Sequence, residues 1–450
     1  MPNSVRFHQP LPGIRHSQSL LERAKDLIPA QTQTLAKGPG QYSRGVCPAY
    51  VERAKGSHVW DVDGNEYIDF SMGVGPVSLG YCYPVVDEAI RKQLDAGITF
   101  SLMHPLEVEV AELIRHIVPH TECVRFSKTG ADVTSAAIRL SRAFTGKNKV
   151  LCCGYHGWHD WYIGITSRNM GVPAAVKDFT HTFEYNNIHS VESALDDDTA
   201  CVILEPMVFE EPRNNFLLDL RTLCSENGVV LIFDEMWTGF RLALGGAQEY
   251  FGVRADLCTF SKAIANGMPI SVLSGRADIM KFCENDVFFF TTFGGETLSL
   301  AAAKATIEEM RDKAVPRELD KKGRWIQANL NTMFTMRNIP YLQCIGAPCR
   351  TMLSIGSTSL GNPLEIKTFF QQEFLKYGIL WSGFHTLSFS HTDEDIDHLI
   401  RAYGDILSML ETISAHRGTV REYLVGETLE PVFRRTGNFH VKPKVPAGHK

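Results

Sequence analysis

The sequence carries no excess of positive charge: 45 lysines and arginines stand against 51 aspartates and glutamates, for a net charge of −6. That removes the electrostatic footprint of a chain that binds nucleic acid or an anionic membrane surface. Its eleven cysteines include no CxxC pair and make an odd total, which argues against a disulfide framework and against a zinc site. No apolar run reaches membrane-spanning length, and the opening stretch, with His8, Pro10, Pro12 and Arg15, lacks the apolar centre of a signal peptide. Internal repeats and low-complexity linkers are missing as well. So is a GxGxxG opening a helix: residues 73–80 (GVGPVSLG) are glycine-rich, but Pro76 and Pro84 break the pattern, which argues against a nicotinamide dehydrogenase. These absences imply a reducing, cytoplasmic setting, with no metal, nucleic acid or membrane as partner. A chain of 450 residues is long enough to divide into two or more structural regions.

What is present is concentrated in residues 229–268. Residues 229–233 (VVLIF) form an unbroken apolar run after Asn227-Gly228, the pattern of a parallel strand buried on both faces. The run stops at Asp234-Glu235. Open α/β sheets bind ligands beyond the carboxyl ends of their strands, so Asp234 projects toward the expected site. A second short run, residues 258–260, ends in Ser261-Lys262 followed by small residues. A lysine held there is partly desolvated and able to form a Schiff base. Singly, a strand-end aspartate is as readily a turn cap, and a lysine a solvated surface group. Together they suggest a pyridoxal 5′-phosphate (PLP) site, in which the carboxylate keeps the pyridine nitrogen protonated and the lysine carries the cofactor as an imine.

The wording then adds a resemblance. DEMWTGFR closely resembles the DEVxTGFR signature of class III aminotransferases, and SKAIANGMPIS is similar to that family's lysine segment; the likeness runs in order from about residue 42 to residue 399. It implies a fold-type-I PLP-transferase: an α/β large domain with a mostly parallel sheet flanked by helices, plus a smaller α+β domain. The expected division is 1–70 (arm and part of the small domain), 71–305 (PLP-binding domain), 306–415 (small domain) and 416–450 (extension).

Further residues follow from the same two sources. Val133, Ala136, Ala137 and Leu140 recur with helical spacing, so a helix begins near Ala131, and its N-terminus suits a phosphate. The family's SGTEA stands here as Thr129-Gly130-Ala131-Asp132-Val133, which implies that Thr129, Gly130 and Ala131 hold the cofactor phosphate through backbone amides. Ala131 removes a hydroxyl. Tyr155-His156-Gly157 matches the family's YHG, which implies Tyr155 stacking on the pyridine ring. Met236, usually valine, would pack on the opposite face. Glu205 ends another strand, residues 201–204, and is expected near the site. Thr292, in FFFTTFGGET, matches the threonine that reaches the phosphate bound by a neighbouring subunit, which implies a homodimer with shared sites.

The substrate side departs from the pattern. The wording is similar to the glutamate-1-semialdehyde aminomutase group, whose SWGP appears here as Gly73-Val74-Gly75-Pro76 and whose loop before AHT is shorter, residues 381–386. Loss of the indole and gain of His385 and Ser382 would suit a bulkier hydroxylated carbonyl compound. GPGQYSRG and PVFRR resemble relatives that act on sugars and sugar acids. The resemblance thus implies amino transfer from L-glutamate to a carbonyl acceptor such as 8-oxo-3,8-dideoxy-octulosonate in lipopolysaccharide biosynthesis. The alternatives are a glutamate-1-semialdehyde 2,1-aminomutase or a transaminase of another cyclic keto acid such as a dehydroshikimate. Arg44 and Arg350 are candidates for the substrate carboxylate.

Overall fold

The structure, a computed structural model, describes residues 10–431. Expectations for residues 1–9 of the arm and 432–435 of PVFRR lie outside the described residues. The described residues form two compact units, one from residues 10–83 together with 318–431, the other from Pro84–Arg317.

The larger unit is built on a seven-stranded sheet with the spatial order Cys123–Ser127, Ser271–Gly275, Leu257–Phe260, Val230–Asp234, Thr199–Leu204, Lys149–Cys153 and Thr180–Thr182. The five strands from Leu257–Phe260 to Thr180–Thr182 are mutually parallel. Ser271–Gly275 runs antiparallel to both of its neighbours. Every residue of Thr199–Leu204 and Val230–Asp234 is buried, as an unbroken apolar run requires when a sheet is covered on both faces. The 16-residue helix Gly130–Thr145 packs across the middle strands, presenting Val133, Ala136, Ala137 and Leu140 to the core. Another 16-residue helix, Thr297–Asp312, packs on helices Pro84–Ala96 and Pro105–Ile117 and on the turn Lys262–Ala265.

The smaller unit holds a four-stranded sheet, in which Ile379–Leu380 pairs in parallel with Glu66–Asp69, and a three-stranded antiparallel sheet. Its helices Pro363–Lys376 and Asp393–Ala415 both start on capping boxes, Asn362 with Glu365 and Thr392 with Asp395. The last strand of the three-stranded sheet is Phe384–Thr386. Residues past the last helix are laid along residues 40–44: Glu427 N–H donates to the Arg44 carbonyl at 2.9 Å and Glu430 N–H to the Gly40 carbonyl at 3.0 Å. Among the described residues no helix is long and apolar enough to cross a membrane.

Candidate active site

Four neighbouring parallel strands of the large sheet end side by side. Leu257–Phe260 is followed by Ser261 and Lys262, Val230–Asp234 ends on Asp234, Thr199–Leu204 is followed by Glu205, and Lys149–Cys153 by the loop carrying Tyr155 and His156. The expected residues therefore share the carboxyl edge of one sheet, where such sheets bind ligands.

Asp234 is completely buried. Its Oδ2 lies 2.7 Å from His156 Nδ1, and its Oδ1 accepts from Met236 N–H at 3.1 Å. His156 is buried too, packed against Trp161 and edge-on to Tyr162. Its Nε2 faces the Cys153 carbonyl at 3.1 Å, and a carbonyl only accepts, so Nε2 carries hydrogen. Nδ1 then either donates to a carboxylate or accepts from a carboxylic acid. Asp234 is thus held at both oxygens, one by His156 and the other by the N–H of Met236. The histidine is the residue the sequence reading left without a role. Its only signal was its place, three residues beyond a strand that neighbours the strand before Glu205.

Asp234 pairs in register with Thr259, three residues before Lys262. Lys262 is half-buried and held at φ +48°, a left-handed conformation that costs a non-glycine residue about 1–3 kcal/mol and persists where the surroundings enforce it. Tyr155, half-buried, donates its N–H to Glu205 Oε1 at 2.6 Å and meets Tyr162 edge-on at 5.6 Å. Glu205 thus orients the backbone that carries Tyr155.

The helix Gly130–Thr145 opens on a capping box. Thr129 Oγ1 accepts from Asp132 N–H at 3.3 Å, and Asp132 Oδ2 accepts from Thr129 N–H at 2.8 Å and from Ser127 Oγ at 2.8 Å. Burial works to raise the Asp132 carboxyl, but the hydrogen bonds from Thr129 and Ser127 outweigh it and hold the group below its ordinary range. The box takes the Thr129 amide. The amides of Gly130 and Ala131 have no hydrogen-bond partner among the described residues, and the Thr129 hydroxyl proton is left to donate.

These groups fit a phosphate with an apolar ring beside it. Two free first-turn amides at the positive end of a four-turn helix form an anion cradle. A Cβ on Gly130 would come within 2.8 Å of Met236 Sδ, so Met236 lies against the cradle. A Cβ on Gly157 would come within 2.8 Å of the Ala131 methyl, so the loop bearing Tyr155 also closes on it.

Thr292 is exposed, on a loop fastened at both ends. Arg125 donates to the Phe289 carbonyl at 2.6 Å, and Glu296 receives Lys128 Nζ at 2.6 Å. In the smaller unit, the candidates for the substrate side fare differently. His385 is fully buried, bonded to Thr351 Oγ1 through Nδ1 and to Tyr403 Oη through Nε2, both at 2.8 Å. It is a core histidine with both nitrogens occupied, and burial lowers it to about 3. It therefore adds no polar group for a substrate. Arg44 holds Glu430 at 3.3 Å and Glu427 at 3.8 Å, and Arg350 lies over the Phe384 ring at 4.4 Å. Val74, in place of the indole, is exposed at φ +71°, an uncommon conformation for a β-branched residue. It lines a cavity of about 290 Å3 with Tyr42, Ser43, Arg44, Lys37 and Asp69.

Comparison with known proteins bears on this geometry directly. The family described as aminotransferase class-III matches residues 41–388. The chain belongs to the class-III aminotransferase family. A 3-aminobutyryl-CoA aminotransferase of Cloacimonas acidaminovorans is 32% identical over 407 residues, 88% of this chain and 97% of that protein. A glutamate-1-semialdehyde 2,1-aminomutase of Methanosarcina acetivorans is 34% identical over 418 residues, 86% of this chain and 97% of that protein. Among solved structures, the PLP internal aldimine form of the FumI protein of Sphingopyxis sp. MTA144 superposes with a TM-score of 0.82 at 26% identity, covering 89% of this chain and 98% of that one. A glutamate-1-semialdehyde aminomutase from Pseudomonas aeruginosa PAO1 shares the fold, with a TM-score of 0.77 at 22% identity over 88% and 94% of the two chains. This class-III aminotransferase is a PLP-dependent enzyme of fold type I.

Proposed function

We propose that this enzyme transfers an amino group from L-glutamate to the carbonyl of a hydroxylated sugar acid, working in the cytoplasm as a homodimer with shared sites. The observation that carries the transaminase reading is the buried Asp234–His156 pair in register with the strand that leads to Lys262. When bound, PLP supplies the electron-accepting ring on which amine chemistry runs. Thr129, Gly130 and Ala131 hold its phosphate by their first-turn donors. Asp234, hydrogen-bonded to His156, would hold the proton on the ring nitrogen. Tyr155 and Met236 would flank the ring and exclude water from its faces. Lys262 would hold the cofactor through its Nζ and would serve as the base at the substrate Cα.

The acceptor class rests on lesser support. The acceptor that the resemblance singles out is 8-oxo-3,8-dideoxy-octulosonate. The dimer reading is supported by apolar exposure. Phe288, Phe290 and Phe293 around Thr292, and Leu102 and Met103 on a neighbouring segment, are each more than half exposed. That segment is joined to the end of the Thr292 loop by Thr297 N–H on the Ile98 carbonyl at 3.0 Å. Patches of this kind mark protein interfaces.

The test is the absorption spectrum of purified protein before and after L-glutamate. Bleaching of the yellow colour, restored by α-ketoglutarate, is expected; a yellow protein indifferent to glutamate would overturn the donor. The aminomutase reading is the second, favoured by the 34% identical relative named for that activity. It requires turnover of an amino aldehyde without any added α-keto acid.

A further inference from the structure

Lys128, one residue before the phosphate cradle, is not a solvated cation. Its Nζ lies 2.6 Å from Glu296 Oε2 and 3.2 Å from Ser299 Oγ, and both ends of the ion pair are largely enclosed, with side-chain exposures of 21% and 11%. A charge pair taken out of water is retained only where its remaining hydrogen-bonding capacity is met. Here it is met. Glu296 Oε1 caps the helix Thr297–Asp312 through Leu298 N–H at 2.6 Å and Ser299 N–H at 3.2 Å, and Ser299 Oγ lies 2.7 Å from Glu296 Oε2 and 3.2 Å from the Pro269 carbonyl.

Three segments of the larger unit meet at this point. They are the cradle at residues 127–132, the loop that carries Thr292 and ends on Glu296, and the stretch from Lys262 to Pro269. Gly294 seals the junction, since a Cβ there would come within 2.9 Å of the Phe126 carbonyl.

We propose that Lys128 is a positioning residue for the cofactor phosphate, acting through Glu296 to fix the direction of the Gly130 and Ala131 amides. The inference rests on the functional reading above. Its physical basis is preorganisation: a cradle made of backbone amides, without a hydroxyl at Ala131, binds only as well as its backbone is held. Asp132 anchors that backbone from the helix side, and the Lys128–Glu296 clamp anchors it from the strand side.

The experiment compares PLP with pyridoxal, which lacks the phosphate, by titrating apo-protein and following the absorbance of the bound ligand. Lys128→Met and Glu296→Gln are each expected to weaken PLP about 10-fold or more, the scale on which supporting groups act, and to leave pyridoxal within about twofold. Should Lys128→Met not fold, Glu296→Gln carries the same comparison. Equal weakening of both ligands would mean general damage and overturn the proposal, as would unchanged PLP affinity. Tighter PLP binding by Glu296→Gln would also overturn it, because it would mean that a released Lys128 meets the phosphate directly. The two failures are separable. Wild-type protein that takes up no PLP overturns the functional reading and the clamp with it, whereas wild-type uptake with unaltered variants overturns the clamp alone.

Discussion

Asp234 and His156 face one another at 2.7 Å with neither side chain exposed, although they arrive from strands that are not adjacent in the sheet. The strand Thr199–Leu204 lies between them. The strand between them leads to Glu205, which holds the Tyr155 amide, so neighbouring strand ends fix both the Asp234–His156 pair and the backbone of Tyr155.

Breaking that pair leaves the buried Asp234 carboxyl without its side-chain partner. His156→Asn should lower stability by about 1–3 kcal/mol, read as a drop in the urea midpoint. Asp234→Asn, nearly isosteric, should fold and take up PLP while losing at least about 100-fold in kcat. Full activity in Asp234→Asn would remove this residue from the chemistry.

Lys262→Ala should abolish the borohydride-reducible link to the cofactor. Mass spectrometry of the reduced protein gives the answer, and retention of a covalent adduct on the variant would sink the assignment.

Gly130 and Gly157 make a contrasting pair. At Gly130 the added methyl meets the end of a flexible Met236 side chain, so Gly130→Ala should fold normally and shift the cofactor's absorbance by displacing that methionine. At Gly157 the methyl meets Ala131 Cβ at 2.8 Å and Cα at 3.0 Å, at φ +106°. Gly157→Ala should therefore cost about 1–3 kcal/mol and weaken PLP binding.

Glu235 is fully buried and accepts from Ala247 N–H at 2.6 Å and Thr238 Oγ1 at 2.9 Å. Burial raises its carboxyl to about 7, against hydrogen bonds that pull the other way. The native state then binds a proton that the unfolded chain has released above pH 4.5, so this group's contribution is full below pH 4.5 and declines as pH rises toward 7. Glu235→Gln should be less stable throughout. Its deficit against wild type in urea midpoint should narrow from pH 4.5 to pH 7, and a constant deficit would contradict the assignment.

Phe293→Glu places a charge on the exposed aromatic loop beside Thr292. Sedimentation should show monomers, and PLP affinity should fall with dimerisation if Thr292 serves the neighbouring site. A monomeric variant with undiminished affinity would show that the site is complete within one chain.

The catalytic edge was legible because strand ends are marked by abrupt changes of residue type: VVLIF to Asp234, CTF to Ser261-Lys262, VIL to Glu205. The helix start near Ala131 was equally plain from its spacing. His156 was not, because its role depends on which strands lie side by side, and chain order does not fix that. His385 misled for a related reason. A polar residue in a short loop reads as exposed, whereas its partners Thr351 and Tyr403 come from distant parts of the chain. The Lys128–Glu296 clamp was hidden the same way, by 168 residues of separation.

The smaller unit, assembled from two stretches with the larger one inserted between them, has a consequence for biosynthesis. The larger sheet has all its strands once residue 275 has been made, but Glu66–Asp69 waits for Ile379–Leu380. During translation the early hairpin, with Val51–Lys55 as its edge strand, must persist without its parallel neighbour while the larger unit takes shape. Chaperone demand should then follow the time the ribosome spends between the two pairing strands.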